Sequence, residues 1–141
     1  MNIRIFQRSD TSVVISLWES CDLLRPWNDP EKDILRKRNV QPEMFLVGVL
    51  DDDVVATVMG GYEGHRGWVN YLAVAPEHCR KGLGRAMMAE VERLLKQAGC
   101  PKVNLQIRGT NTSAIEFYRR LGYQVDDVVS LGKRLEQDEQ S

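Results

Sequence analysis

The sequence predicts one mixed α/β domain, with a central, mostly antiparallel sheet of about six or seven strands and about four helices on both of its faces. Three observations predict this class: short apolar runs of strand length, longer segments with apolar residues at helical spacing, and glycine or proline at most junctions. The predicted element order is βααβββαβαββ. Its strand–helix–strand crossovers favour parallel pairing, whereas its early hairpin requires antiparallel pairing, so a mixed sheet is expected.

Seven short runs are expected to be strands, because their apolar residues alternate or are continuous and turn residues bound them. The second and third runs form a hairpin around three consecutive aspartates, Asp51 to Asp53. The predicted strands cover residues 3–6, 44–50, 54–59, 68–74, 103–107, 123–125 and 129–131.

Four helices are expected, each marked by a start or a stop signal. The third, over residues 83–98, has the clearest apolar stripe, and the fourth covers residues 111–121. The expected signals are Ser9 or Asp10 as cap of the first helix, Asp29 with Pro30 at the start of the second, Gly99 after the third and Gly122 after the fourth.

Length and composition narrow the function classes. The 141 residues fit one domain, expected at residues 1–135 and followed by a polar tail at 136–141. A formal net charge of −1 argues against a nucleic-acid partner, and no apolar stretch approaches the roughly 18 residues needed to cross a bilayer. The N-terminus lacks a signal peptide, and the three cysteines form neither a disulfide framework nor a metal motif. We expect a cytoplasmic protein with reduced thiols and no metal.

The most informative segment is Arg80-Lys81-Gly82-Leu83-Gly84-Arg85, which lies between a strand and a long helix. A helix start leaves about four backbone N–H groups without partners and carries roughly half a positive charge. Glycines let the backbone approach a ligand closely, and the segment adds three cationic side chains. Together these features predict a seat for a pyrophosphate.

Comparison with general phosphate motifs leaves two interpretations of this segment open. A Rossmann motif would need a small residue where Met87 stands, and the chain has no P-loop sequence. A shorter glycine loop fits the residues, and so does a glycine-eased turn whose Arg and Lys side chains are only solvated.

Two motifs in the chain resemble those of the GNAT superfamily of N-acetyltransferases. The central one is Leu72-Ala73-Val74-x-Pro76 followed by Arg80-Lys81-Gly82-Leu83-Gly84-Arg85-Ala86. The C-terminal one is Asn111-x-x-Ala114-Ile115-x-Phe117-Tyr118-x-x-Leu121-Gly122-Tyr123. Their order and spacing match the superfamily over nearly the whole chain, which implies a GNAT-like fold. The segments 24–30 and 64–67 further resemble a small bacterial subgroup without an assigned substrate.

The resemblance implies acetyl-CoA as co-substrate and a role for each matched residue. Residues 72–74 would form a splayed strand whose backbone pairs with pantetheine, and the amides of residues 80–85 would hold the pyrophosphate. Asn111 would bind near the pantetheine, and Tyr118 would face the thioester sulfur. The implied cofactor-binding residues are Leu72, Ala73, Val74, Arg80, Lys81, Gly82, Leu83, Gly84, Arg85, Asn111 and Tyr118.

Amide formation from a thioester needs a stabilised oxyanion and help for the departing thiolate. The N–H of Val74 can serve the oxyanion, and Tyr118 can serve the thiolate as a hydrogen-bond donor or general acid. Proton transfer from a tyrosine with a pKa near 10 to a thiolate with a pKa near 8.5 is uphill by roughly 2 kcal/mol. A strengthening hydrogen bond is therefore expected. Without the motif, Tyr118 reads as a packed core residue.

The group that accepts the proton of the amine is harder to identify. In several relatives a glutamate occupies the position of Gln106, and an amide does not accept a proton usefully. Glu63 is the best catalytic replacement, although it also reads as an exposed loop carboxylate. Cys79 stands where many relatives carry Arg or Gln, which predicts a modest loss of phosphate binding.

The acceptor is expected to be a primary amine, either of a small molecule or of a peptide N-terminus. It would bind between the first two helices and the connection at residues 62–67, and a homodimer is compatible with the sequence. Two other classes stay open: a non-catalytic acyl-CoA sensor, favoured by Gln106, and a partner-binding domain without a cofactor. The polar and aromatic candidates for the acceptor site are Asp22, Arg25, Trp27, Asn28, Glu63 and His65.

Overall fold

The computed structural model describes residues 1–138 of the chain. These residues divide into two compact units, one made of residues 1–105 together with 138 and the other of residues 106–137. The first unit holds the sheet and the first three helices, and the second holds the fourth helix. The domain boundary at residue 135 stays a prediction.

The first unit is built on a five-stranded sheet whose strands lie in chain order. They are β1 (Asn2–Ile5), β2 (Phe45–Leu50), β3 (Asp53–Tyr62), β4 (Gly67–Val74) and β5 (Val103–Leu105). Pairing is antiparallel from β1 through β4 and parallel between β4 and β5, because a helix makes the crossover between that last pair. The prediction of a mixed, mostly antiparallel sheet is confirmed.

The helices of the first unit are α1 (Thr11–Ser20), α2 (Pro30–Arg38) and α3 (Leu83–Gln97). Asp29 caps α2 as predicted, since its side chain accepts hydrogen bonds from the amides of Glu31 and Lys32. Gly99 follows α3 with a φ of +92°, a conformation that glycine adopts without strain.

Asp10, one of the two predicted caps, occupies the N-cap position of α1. Asp10 ends a 3₁₀ turn that precedes the helix, and its side chain makes no cap hydrogen bond to α1. Its carboxylate instead accepts the Gln7 amide and two hydrogen bonds from the Arg4 guanidinium, at 2.8 and 3.0 Å. The Asp10 carboxylate therefore binds Arg4, whereas the local sequence pattern predicts that it caps α1.

Apolar side chains cover both faces of the sheet. One face carries α1 and α2 on a cluster that includes Val14, Trp18, Ile34, Phe45 and Val47. A Cβ at Gly48, the residue after Val47, would lie 3.1 Å from the Met87 sulfur of α3. Because successive residues of a strand face opposite sides, α3 covers the other face, as the predicted apolar stripe requires. Its buried residues are Met87, Met88, Val91 and Leu95.

The strand count is lower than predicted. Within residues 1–138, the segments 123–125 and 129–131 are irregular, and β5 ends at Leu105. Val125, Val129 and Leu131 are 77%, 84% and 92% exposed. An apolar run becomes a strand only where a neighbouring strand satisfies its backbone, and the local pattern does not reveal whether one is present.

The second unit contains α4 (Thr112–Arg120), which follows Asn111 and precedes Gly122 as predicted. In the first unit, Asp138 of the predicted polar tail is buried and accepts two hydrogen bonds from Arg36 of α2, at 2.8 and 2.9 Å. Residues 139–141 of that tail lie outside the described residues.

Candidate functional site

The second half of β4 runs beyond its parallel neighbour. β4 pairs with β5 only from Gly67 to Val69, whereas it stays paired with β3 as far as Val74. The amide of Ala75 donates to the Val55 carbonyl on β3 at 2.8 Å. Because backbone groups alternate sides along a strand, the amides of Val74 and Leu72 point to the edge away from β3. This edge is the one that β5 leaves uncovered.

A β-bulge lies just before these amides. Thr57 pairs with Ala73 and Met59 pairs with Asn70, so two residues of β4, Tyr71 and Leu72, oppose a single residue of β3. Tyr71 has a φ of +52°, in the left-handed region. That conformation costs an L-residue about 1–2 kcal/mol, so the surrounding contacts must hold it in place.

Three contacts hold Tyr71, and a fourth hydrogen bond fixes one of its partners. Its ring stacks on Trp18 with centroids 3.8 Å apart, and its hydroxyl donates to Asp33 of α2 at 2.6 Å. The Thr57 hydroxyl donates to the Tyr71 carbonyl at 2.9 Å and accepts the Trp18 indole N–H at 2.9 Å. Burial, and then the hydrogen bond to Asp33, raise the pKa of Tyr71 above its ordinary value.

Sequence reasoning missed this cluster of Trp18, Asp33, Thr57 and Tyr71, hereafter the bulge cluster.

The start of α3 has the open backbone amides that the sequence predicts. Gly82 has a φ of +79° and precedes α3 with no side-chain cap, and the first helical hydrogen bond runs from Ala86 to the Gly82 carbonyl. The amides of Leu83, Gly84 and Arg85 therefore have no partner within the helix.

The cations of the predicted phosphate loop, residues 80–85, lie on the surface. Arg80 and Lys81 are exposed, and Arg80 adopts a φ of +63°. The Lys81 ammonium lies 3.2 Å from a ring nitrogen of His78. Cys79 directs its thiol to the carbonyls of Ala75 and Val74, at 3.6 and 3.9 Å. A helix start with open amides beside exposed cationic side chains can bind a polyanion.

A surface cavity of about 300 Å³ lies at the opposite end of β4. Its walls are mostly apolar and aromatic, and Glu63 supplies its carboxylate. The lining residues are Val40, Gln41, Gly61, Tyr62, Glu63 and Trp68. The Gln41 side chain bonds both backbone groups of Tyr62, at 2.7 and 2.9 Å, which ties the segment after α2 to the end of β3.

Glu63, the predicted base, is held in the turn between β3 and β4. One carboxylate oxygen accepts the amides of both His65 and Arg66. Hydrogen bonds from Arg66 and His65 keep the pKa of Glu63 below its ordinary value, which makes the carboxylate a weaker base. Of the predicted acceptor residues, Glu63 alone is among those lining the cavity.

The other predicted acceptor residues lie apart from that cavity. The Arg25 guanidinium donates to the Asp22 carbonyl at 2.8 Å and approaches its carboxylate at 3.6 Å. The Arg25 side chain is therefore engaged within its own segment. Trp27 is 41% exposed.

The second unit carries the remaining predicted residues. Burial raises the pKa of Tyr118 to about 12, and its ring makes edge contacts with Phe117 and Tyr123. The side-chain oxygen of Asn111 accepts the Ala114 amide and the Ser113 hydroxyl, both at 3.2 Å. The Gln106 amide nitrogen donates to the Ser130 hydroxyl.

In residues 1–138, no group of three or more His, Cys, Asp or Glu side chains is placed to hold a metal ion. None of the helices described here is long and apolar enough to cross a bilayer.

Comparison with known proteins identifies the chain as an acetyltransferase. Residues 13–123 match the acetyltransferase (GNAT) family, and the chain belongs to that family. An acetyltransferase of Sodalis glossinidius is 49% identical over 141 residues, which cover 99% of both chains. An acetyltransferase of Yersinia pestis is 49% identical over 140 residues, with the same coverage.

Solved structures agree with this assignment. Ard1 from Thermoplasma volcanium is similar with a TM-score of 0.81 and 25% identity, covering 89% of this chain and 83% of that one. An aminoglycoside 6'-N-acetyltransferase from Acinetobacter haemolyticus has a TM-score of 0.69 and 19% identity, covering 96% of this chain and 100% of the other. At that identity the second structure shows the shared fold alone.

Proposed function

We propose that the protein is an acetyl-CoA-dependent N-acetyltransferase. It would move the acetyl group to a primary amine, of a small molecule or of a peptide or protein N-terminus, by direct attack on the thioester in a ternary complex. One observation carries the proposal: the edge of β4 that β5 leaves uncovered leads into a helix start whose amides lack helical partners. A cytoplasmic location belongs to the same proposal.

The coenzyme fits this path by its chemistry. Its diphosphate suits the amides and cations at the start of α3, and its pantetheine amides suit the backbone groups of β4. Its thioester supplies the acetyl group. The residues proposed to hold it are Leu72, Ala73, Val74, Arg80, Lys81, Gly82, Leu83, Gly84, Arg85, Asn111 and Tyr118.

The oxyanion and the thiolate would be stabilised by different groups. The amide of Val74, or that of Leu72, points to the uncovered edge of β4 and can donate to the oxyanion. Tyr118 would donate a hydrogen bond to the thiolate. With the pKa of Tyr118 at about 12, full proton transfer to a thiolate is uphill by about 5 kcal/mol, so the phenol would act without losing its proton.

The proton of the amine would pass to Glu63 or directly to water. Two turn amides already bond one oxygen of Glu63, so a proton would reach its other oxygen. Tyr62, the residue before it, pairs with Gly67, five residues from Leu72 along β4, so the proton would have to travel through a chain of water molecules. An α-amine, with an ordinary pKa near 8, is partly neutral at pH 7 and needs less help than a lysine ammonium near 10.4. An acceptor with an α-amine therefore suits this site better.

The acceptor would enter from the cavity at Trp68. A cofactor lying along β4 from the phosphate loop would direct its thioester toward that end of the strand. The aromatic rings of Tyr62 and Trp68, together with the Glu63 carboxylate, suit a cationic amine.

Thermal unfolding with and without acetyl-CoA tests cofactor binding. A ligand at about 100 times its dissociation constant stabilises a protein by roughly 2.7 kcal/mol, and CoA and NADH serve as matched ligands. Incubation with acetyl-CoA and a panel of amino acids, polyamines, arylalkylamines and short peptides, read by mass spectrometry, then tests transfer. No thermal shift with acetyl-CoA would exclude the proposal.

Replacing Tyr118 by Phe tests the proposed role of the phenol. Acetyl-CoA binding should survive, while kcat should fall about 10- to 100-fold because the thiolate loses its donor. Tyr123→Phe, which changes the neighbouring ring, is the matched control. Unchanged turnover in Tyr118→Phe would remove this residue from the mechanism.

A non-catalytic acyl-CoA sensor is the second candidate function. The observation that favours it is Gln106, which places an amide at the position of the base found in several relatives. A thermal shift with acetyl-CoA, without transfer to any amine of the panel, would favour the sensor over the enzyme.

A further inference from the structure

The bulge of β4 decides which backbone amides reach the uncovered edge. Downstream of the bulge, Ala73 lies opposite Thr57, and the amides of Leu72 and Val74 turn away from β3. Without the extra residue, the second half of β4 would slip by one position. The amides of Leu72 and Val74 would then face β3, and that of Ala73 would take the edge.

The hydroxyl of Thr57 joins the bulge to α1. It is fully buried, in a strand segment whose neighbours Ala56 and Val58 are buried and apolar. It accepts the Trp18 N–H and donates to the Tyr71 carbonyl, both at 2.9 Å. A valine would fill nearly the same volume, so the hydroxyl, rather than the size of the side chain, is what this position uses.

Both partners of this hydroxyl would be left unsatisfied without it. Trp18 is fully buried, and the carbonyl of Tyr71 belongs to the one residue of β4 with a positive φ. A strained conformation persists only where its surroundings determine it, and such residues concentrate at functional sites. Here the strain lies directly before the amides proposed to bind the thioester oxygen.

We propose that Thr57 is a positioning residue for acetyl transfer. Through the Tyr71 carbonyl it holds the bulge, and through the bulge it directs the amides of Leu72 and Val74 at the oxyanion. This inference rests on the proposed function, but it concerns the chemical step and not the binding of the coenzyme.

A series at one position tests the inference at nearly constant packing. Thr57→Ser keeps the hydroxyl, Thr57→Cys offers a weaker hydrogen-bonding group, and Thr57→Val offers none. We expect kcat within about threefold of wild type for Ser, roughly 10- to 100-fold lower for Val, and intermediate for Cys, because a misdirected oxyanion donor loses most of its effect. The KM for acetyl-CoA should change less than about threefold, because the loop that holds the diphosphate is untouched.

Val47→Ala is the matched control for core damage. Val47 is fully buried on β2, lies opposite Thr57 in the sheet and makes no contact with the bulge through a hydrogen bond. This variant should lower the melting temperature while leaving kcat per folded enzyme within about threefold of wild type.

Three outcomes would overturn the inference. One is a Thr57→Val enzyme that melts earlier but turns over normally, and another is a KM that rises in parallel with the fall in kcat. If Thr57→Val does not fold, the test is the comparison of kcat between Thr57→Ser and Thr57→Cys. Equal kcat values for these two variants would overturn the inference. A wild-type protein that binds acetyl-CoA but acetylates no amine would instead refute the proposed function, and with it any positioning role.

Discussion

The start of α3 and the bulge of β4 are close in sequence, yet they treat their backbone polar groups in opposite ways. At the start of α3, the amides have no side-chain cap and the neighbouring cations are exposed. At the bulge, the carbonyl of Tyr71 is bonded and its ring and hydroxyl are held by buried partners. A region that binds a ligand leaves its groups open, whereas a region that shapes a site closes them.

This difference has an energetic consequence. Open amides at a solvated helix end cost little, because water satisfies them until a ligand arrives. Buried groups have no such substitute, so losing one partner in the bulge cluster costs the desolvation of the other. We therefore expect stability to depend on the bulge cluster and coenzyme affinity to depend on the loop.

The largest expected effect is on stability. Trp18→Ala should lower the free energy of unfolding by about 3–5 kcal/mol, because it opens a core cavity and removes the ring beneath Tyr71. Trp68→Ala, at a position 39% exposed, should cost less than about 1 kcal/mol. Urea denaturation of both variants measures the difference. Equal losses in the free energy of unfolding would contradict the expectation that stability depends on the bulge cluster.

A pair of glycine substitutions separates binding from stability at the two ends of α3. Gly82 and Gly99 have φ values of +79° and +92°, and no atom would lie within 4 Å of a new Cβ at either position. Each change to Ala should therefore cost about 1–2 kcal/mol of stability through backbone strain alone. Only Gly82→Ala should also weaken acetyl-CoA binding in calorimetric titration. A similar loss of affinity in Gly99→Ala would remove the loop from the binding site.

The smallest expected effect concerns Arg36, which lies next to Asp33 of the bulge cluster. Arg36 lies 3.5 Å from the Asp33 carboxylate and also bonds Asp138. Hydrogen bonding to Arg36 lowers the pKa of Asp138 to about 2, below its ordinary value near 3.9. The contact should thus stabilise the fold above about pH 5 and lose its effect as the pH falls toward 2.

Asp138→Asn tests this contact by denaturation at several pH values. The wild type should be more stable than the variant at pH 7, and the gap should close near pH 2. Asp127→Asn, which removes the charge of an exposed aspartate, is the control. A gap that stays constant with pH would show that the charge of Asp138 does not contribute.

Much of the fold could be predicted because its signals are local. Asp29 caps α2 from two and three residues away, and Gly99 and Gly122 adopt the left-handed conformation expected after α3 and α4. The same holds for the start of α3, where the glycine and the cations act within one turn. The motif residues of the candidate site were predicted for this reason, although their roles stay predictions.

The bulge cluster could not be predicted, because its contacts join residues far apart in the chain. Thr57 is 39 residues from Trp18, and Tyr71 is 38 residues from Asp33. The available signals were weak: a threonine in an apolar strand, and a tyrosine whose positive φ no residue-type rule suggests. Glu63 was chosen by its position, and the turn that binds its oxygen became visible only with the backbone.

The sequence by itself determined the class of fold, the family and the place of the glycine-bounded start of α3, because helix caps, glycine conformations and short motifs act over a few neighbouring residues. Only the tertiary structure decided the register of β4, the bulge at Tyr71, the absence of strands at 123–125 and 129–131 in the described chain, and the partners of Glu63. These features depend on which distant segments meet in the fold. A buried hydrogen bond between such segments leaves no signal in the sequence around either residue.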